Sequence, residues 1–206
     1  MTEIQESLPD KAAARREFHR SRVLDAAEAI VAEKGLPGLK ARELADKAGC
    51  ALGAIYIAFE DLDELVLRVN ARTLALLEAA LAPPPEVLKK KKELRRLALG
   101  YLRFARANAP RWKALFEHRL PPEKPLPEWY FAERERLFQL LEAPLARLLP
   151  QEDPDQRRQK ARTLFSAVHG IASLGLEEKL APTPEATLEA QLCDFIEIVL
   201  RGLSDD

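Results

Sequence analysis

Cysteine, histidine and glycine are scarce in this chain, with two, three and eight copies among 206 residues. Cys50 and Cys193 stand far apart and fit no metal-ligand spacing, which predicts two reduced thiols in a cytoplasmic protein. His19, His118 and His169 are not spaced as metal ligands either, so no metal site is expected. No glycine-rich run is present to cradle a phosphate, and no serine is followed by partners at a recognisable spacing. Carboxylates are abundant but lie beside basic residues on helical stretches, the pattern of solvated faces. The chain therefore does not read as an enzyme, and neither a catalytic residue nor a cofactor is assigned. No run of about 18 apolar residues occurs, so no membrane partner is expected. The stretch from Met1 to Asp10 is polar and acidic, unlike a signal peptide. An excess of positive charge is missing too, since the net charge is −1. A nucleic-acid binder of this composition has to concentrate its cations locally. Lys11, Arg15, Arg16, Arg20 and Arg22 do crowd one stretch, with only Glu17 and Asp25 close by; on charge alone a solvated helix face explains them equally.

What the chain does have is helical periodicity. Hydrophobic residues make up 47% and charged residues 32%, enough for a sizeable core under well-solvated faces. Strand-length alternation and internal repeats are absent. A first helix capped by Asp10 is predicted to run to about Lys34, with Phe18, Val23, Ala26, Ala27, Ile30 and Val31 on its apolar face and Gly35 and Gly38 at its end. After two short helices, Asp61 caps a long one with Glu64 at the reciprocal position of a capping box. Its buried stripe is Leu65, Val69, Leu74, Leu77 and Leu81. The run Pro83-Pro84-Pro85 marks a joint. Beyond it come a helix carrying Val87, Leu94, Leu97, Ala98, Tyr101, Leu102 and Phe104, and a short helix from Pro110. A helix from about Glu128 to Leu149, bent at Pro144, follows a proline-rich loop. Asp153-Pro154 and Thr183-Pro184 each read as an N-cap and first helical residue, the first helix ending near Leu180 and the second near Gly202. The expected fold class is all-α with about nine helices: a three-helix unit over residues 10–60 and a larger helical domain over 61–206.

The most specific chemistry lies between Ala41 and Phe59. Two short helices joined by a tight turn fit the spacing of Ala45, Gly49 and Ile55. A small Ala45 lets the second helix cross close over the first. Gly49 supplies a turn conformation that side chains resist. Ile55 plugs the angle between the helices. Such a helix-turn-helix places its second helix in a DNA major groove.

Residues Leu24, Ala26, Ala27, Gly35, Leu39, Arg42, Leu44, Ala45, Ala48, Gly49, Gly53, Ile55, Tyr56, Phe59, Leu65 and Val69 carry a resemblance to the tetracycline-repressor (TetR) family of transcriptional regulators. The run Gly53-Ala54-Ile55-Tyr56 with Phe59 is its most specific part. Val168-His169-Gly170 resembles the Trp-His-Gly motif of one C-terminal domain type, with valine in place of tryptophan. The resemblance implies that Lys40 to Ala48 crosses the DNA backbone and that Ala51 to Ala58 enters the major groove. Lys40, Arg42 and Tyr56 then contact phosphates, helped by backbone N–H groups at helix starts. The chain departs from the family at Ala51, where a capping hydroxyl is usual, at Leu62, where a phosphate-binding lysine is common, and at Leu52, Ile57 and Ala58, which are often polar. Base contact by Ala51, Leu52, Ala54 or Ile57 is therefore expected to be apolar, against thymine methyls, with a contribution from DNA shape, while Gly53 lets the helix approach the backbone without a side chain in the way.

The resemblance further implies a homodimer that binds a double-stranded operator and is released from it by an unknown small-molecule effector. Candidate effector-binding residues are Tyr101, Phe104, Trp112, Phe116, Trp129, Tyr130, Phe138, Phe165 and His169, for which ordinary core packing is the competing reading. Candidate dimer-seam residues are Leu164, Val168, Ile171, Leu192, Phe195, Ile196 and Val199, on two wide apolar stripes that together form a four-helix bundle with their symmetry mates. The alternative function is a helical small-molecule-binding module that has lost DNA binding.

Overall fold

The computed structural model describes residues 11–82, 90–178 and 183–203. Among them are nine α-helices and no strand: α1 Lys11–Lys34, α2 Ala41–Ala48, α3 Leu52–Ala58, α4 Leu62–Leu81, α5 Lys90–Ala107, α6 Ala109–Glu117, α7 Glu128–Leu148, α8 Pro154–Leu176 and α9 Glu185–Gly202. The predicted cap Asp10, the triple proline and Val87 lie outside the described residues.

The breaks follow from the residues at them. Gly35 ends α1 with φ of 68°, and a single 3-10 turn over Leu36–Gly38 redirects the chain. Gly49 ends α2 in the left-handed region with φ of 61°, where its N–H reaches back to the Ala45 and Asp46 carbonyls. A Cβ there would also lie 2.8 Å from the Arg22 guanidinium. Asp61 caps α4 by accepting from the Glu64 N–H at 2.8 Å. The Glu64 carboxylate returns the bond one residue further back than a capping box does, to the Glu60 N–H at 2.8 Å. Asp153 caps α8 through the Asp155 N–H at 2.8 Å, with Pro154 as first helical residue. The same reading fails at α9. Pro184 itself occupies the N-cap, without a side-chain hydrogen bond, and the helix starts at Glu185. α8 stops at Leu176, short of the expected Leu180, which falls outside the described residues.

Two main cores share α4. The first joins Val23, Ala27, Ile30 and Val31 of α1 to Leu44, Ala45, Ile55, Phe59, Leu65 and Val69, and takes Ala114 from α6. The second runs from Leu77 and Leu81 through α5 and Trp112 to the inner faces of α7, α8 and α9. A smaller cluster of Leu67, Leu74 and Tyr130 lies between them. Phe18 does not join the first core. It is 62% exposed, with the Arg22 guanidinium 5.8 Å from its ring. Residues 13–18 are all exposed, so this part of α1 has nothing to pack on, and its periodicity continues without a partner.

Removing the α4 cap with Asp61→Ala should cost about 1 kcal/mol, read as a lower midpoint in urea unfolding with an unchanged slope.

Candidate DNA-facing helix and interior cavity

Ile55 is buried, as its place in the angle between α2 and α3 requires. Its burial turns the opposite face of α3 outward. Ile57 is 83% exposed and Tyr56 51%, with Ala51, Leu52 and Gly53 also exposed and Ala54 half-buried. A Cβ on Gly53 would meet nothing within 4 Å, so this glycine serves no helix contact within the chain. Lys40 and Arg42 are exposed at the start of α2. Neither Lys40 nor Ala51 makes a side-chain cap, so the first N–H groups of α2 and α3 have no capping acceptor.

The basic stripe of α1 is divided in its work. Lys11, Arg15 and Arg16 are exposed. Arg20 and Arg22 instead turn inward and bind helix ends. Arg22 donates to the Ala48 carbonyl at the end of α2 at 2.6 Å. Arg20 donates to the Ala58 carbonyl at the end of α3 and to Glu64 at 2.7 Å, its guanidinium 4.2 Å from the centre of the Phe59 ring. Burial opposes ionisation of Glu64, but hydrogen bonds from Arg20 and the Glu60 N–H outweigh it and keep the carboxyl below its usual range.

Within the larger core lies a cavity of about 630 Å³. Of the candidate effector-binding residues, Tyr101, Phe116, Tyr130, Phe138 and Phe165 line it. Four other candidates do not, each for an observable reason. Phe104 borders a separate recess between α4 and α5. Trp129 lies under the Arg68 guanidinium at 3.8 Å. Trp112 and His169 are tied up with Tyr101. The Trp112 indole N–H donates to the Tyr101 oxygen at 2.9 Å, and the same hydroxyl is hydrogen-bonded to His169 Nδ1 at 2.8 Å. The His169 ring also stacks among Phe116, Trp112 and Phe165, with centroids 4.1, 5.4 and 5.9 Å away.

Sequence reasoning missed the other wall. Leu67, Asn70, Leu74 and Leu77 of α4 face the cavity, together with His118, Lys124 and Arg134. Asn70 was the legible signal: a polar residue recurring with leucines at three- and four-residue intervals. Its Nδ2 donates to the Ala114 carbonyl at 3.2 Å, which fixes the amide orientation and leaves the buried Oδ1 without a partner. Lys124 forms an ion pair with Asp61, the cap of α4, and lies 3.8 Å from Asp63. His118 Nε2 is 3.5 Å from Asp63. The loop that borders the cavity thus holds the first turn of the helix that follows α3.

Burial pushes the His118 and His169 imidazoles below the ordinary value of 6.5. The unfolded chain therefore binds these protons more readily than the folded one. Their contribution to stability is complete above pH 6.5 and is lost as pH falls through the depressed folded values. The melting temperature should drop on acidification from pH 6.5 downward, and less steeply in His169→Phe.

Leu164, Val168, Leu192 and Ile196 are buried in their own chain's core. Ile171, Phe195 and Val199 are only partly covered, and Leu174 and Ile198 are exposed. Periodicity marked the apolar stripes but not which edge of each faces inward.

A buried plug behind an outward-facing second helix, joined through one long helix to a hollow bundle, defines a helix-turn-helix regulator with a helical C-terminal domain. Residues 23–69 match the model described as bacterial regulatory proteins of the tetR family, and residues 94–195, Val168-His169-Gly170 included, match the tetracyclin repressor-like C-terminal domain. The chain belongs to the TetR family: it is a transcriptional regulator with a DNA-binding domain, not an enzyme. Among curated proteins none matches the sequence. Solved structures share the fold. The transcriptional regulator SCO7222 from Streptomyces coelicolor is 19% identical with a TM-score of 0.66, the match covering 90% of this chain and 97% of that one. A TetR variant from Acinetobacter baumannii AYE, in complex with minocycline, is 18% identical with a TM-score of 0.62, covering 97% and 98%. BioQ, solved with its double-stranded DNA operator, is 16% identical with a TM-score of 0.63, covering 91% and 99%. Among the described residues no helix is long and apolar enough to cross a membrane, and no three His, Cys, Asp or Glu side chains gather as metal ligands.

Proposed function

We propose that the protein is a homodimeric repressor that leaves its operator when a small molecule enters the cavity. The carrying observation is the outward face of α3, where Leu52, Tyr56 and Ile57 are exposed although two of them are strongly apolar. Large apolar side chains grouped on one short helix are costly in water and useful against a groove lined with methyl groups. In this reading Lys40, Arg42 and Tyr56 hold phosphates, Ala51, Leu52, Ala54 and Ile57 meet base edges, and Gly53 lets the helix come close. Residues 10–60 act as the DNA-binding unit and 61–206 as the effector and dimer domain, with α4 built into both cores.

The switch runs through α4. Its first turn is held from the cavity side by Lys124, and its Glu64 shares Arg20 with the last carbonyl of α3. A ligand that displaces the loop alters what holds α4, and so the pose of α3. Two copies must present α3 about 34 Å apart to meet one face of a duplex, so a small tilt suffices for release. Ile171, Phe195 and Val199, extended by the exposed Leu174 and Ile198, form the seam in this reading. BioQ with its operator and the minocycline complex lend the plan precedent in the same fold. Such a protein works beside the chromosome in the cytoplasm, consistent with the free Cys50 and Cys193.

A gel shift with the DNA flanking the protein's own gene, at two salt concentrations, tests the reading. Binding should weaken with salt and vanish in the Arg42→Ala, Tyr56→Ala double variant. A helical, folded protein that binds none of this DNA would instead support the effector-binding module without DNA recognition.

A further inference from the structure

The cavity is not uniform along its length. From Leu67 to Leu81 the wall follows α4 over 15 residues, about 21 Å at the rise of an α-helix. The end near Leu81 is made of Leu77, Leu94, Leu97, Leu164, Val168 and Ile196, all apolar. The other end gathers Asn70, His118, Lys124, Tyr130 and Arg134, from α4, α7 and the loop before α7. Among the described lining residues none is Asp or Glu. Arg134 has no ion pair among the described residues, and Lys124 is paired only with carboxylates of α4 that lie outside the wall. A cationic, hydrogen-bonding end and a long leucine-lined end together select for a molecule built the same way.

Resting on the proposal that this cavity holds the effector, we infer that the effector is an aliphatic amphiphile with one anionic head group. Its tail lies along Leu74, Leu77 and Leu81. Its head lies between Lys124 and Arg134, with the Tyr130 hydroxyl as a further donor. A head group at Lys124 competes with Asp61 for the same ammonium, so this ligand chemistry is also the chemistry that loosens the α4 cap.

Full-length protein can be titrated with four probes of equal tail: dodecanoate, dodecyl phosphate, dodecanol and dodecylamine. Each is read by displacement of the neutral dye Nile red. Dodecanoate or dodecyl phosphate should bind at least ten-fold tighter than dodecylamine, and which of the two is tighter tells a carboxylate from a phosphate head. Arg134→Glu, an exposed change that circular dichroism should show to be folded, should weaken the anions at least ten-fold and leave dodecanol unchanged. Equal or tighter binding of dodecylamine, or anion binding indifferent to Arg134→Glu, overturns the head-group inference while leaving the cavity as a ligand site. Failure of Nile red and all four probes, with the Leu74→Trp variant behaving identically, overturns the cavity reading itself and this inference with it.

Discussion

Ile57→Glu should lower operator affinity by about 100-fold or more, roughly 3 kcal/mol, with no loss of folding. The side chain is 83% exposed, so its replacement disturbs no packing and should change stability by less than about 0.5 kcal/mol. In the complex, the same position would bring a carboxylate between two phosphate backbones and put a charge where an apolar contact is expected. Fluorescence anisotropy at fixed salt measures the first effect and thermal unfolding the second. A variant that binds normally would show that α3 does not enter the groove. The effect should exceed that of Arg42→Ala, because losing one phosphate contact weakens binding uniformly, whereas the added charge is repelled wherever the helix docks.

Trp112→Ala should destabilise the protein by about 3–5 kcal/mol. The indole is buried where α6 meets α5, and its N–H is the donor to Tyr101. Truncation opens a large void beside Phe116 and His169 and leaves the Tyr101 oxygen without its donor. Burial pushes the Tyr101 phenol well up, so it stays protonated and keeps its bond to His169. Trp112→Phe should recover part of the packing without the hydrogen bond. Denaturant midpoints for the two variants separate the contributions, and a Trp112→Ala protein as stable as the parent would contradict the assignment of this core.

The N-terminal unit was legible because each of its positions has one physical solution. Gly49 adopts the left-handed conformation that its place in the turn demanded, and Ile55 and Phe59 are buried as a plug and an anchor must be. Arg20 and Arg22 were not legible as capping residues, since a basic stripe on a helix looks the same whether it meets carbonyls or solvent. Their targets, Ala58 and Ala48, lie 38 and 26 residues away. The cavity was half legible. Aromatic residues drew the eye to α5, α6 and α8, yet much of the wall is leucine from α4, which an apolar stripe does not distinguish from solid core. His169, singled out by its chemistry, takes the competing reading of a hydrogen-bonded structural histidine, paired with Tyr101. On α8 and α9 helical period gives a stripe and not its partner, and Leu192 and Ile196 pack within the chain.

Thymine methyl groups are the feature of the major groove that an apolar α3 is proposed to read. Duplexes selected from a random library by the full-length protein can be remade with single thymines replaced by uracil, which removes one methyl and nothing else. Affinity should fall at a few thymines, in two half-sites whose centres lie about 34 Å or a multiple apart, and Ile57→Ala should abolish part of that sensitivity. Uracil tolerated at every position, with binding blocked instead by methylation of adenine N3 in the minor groove, would contradict this reading.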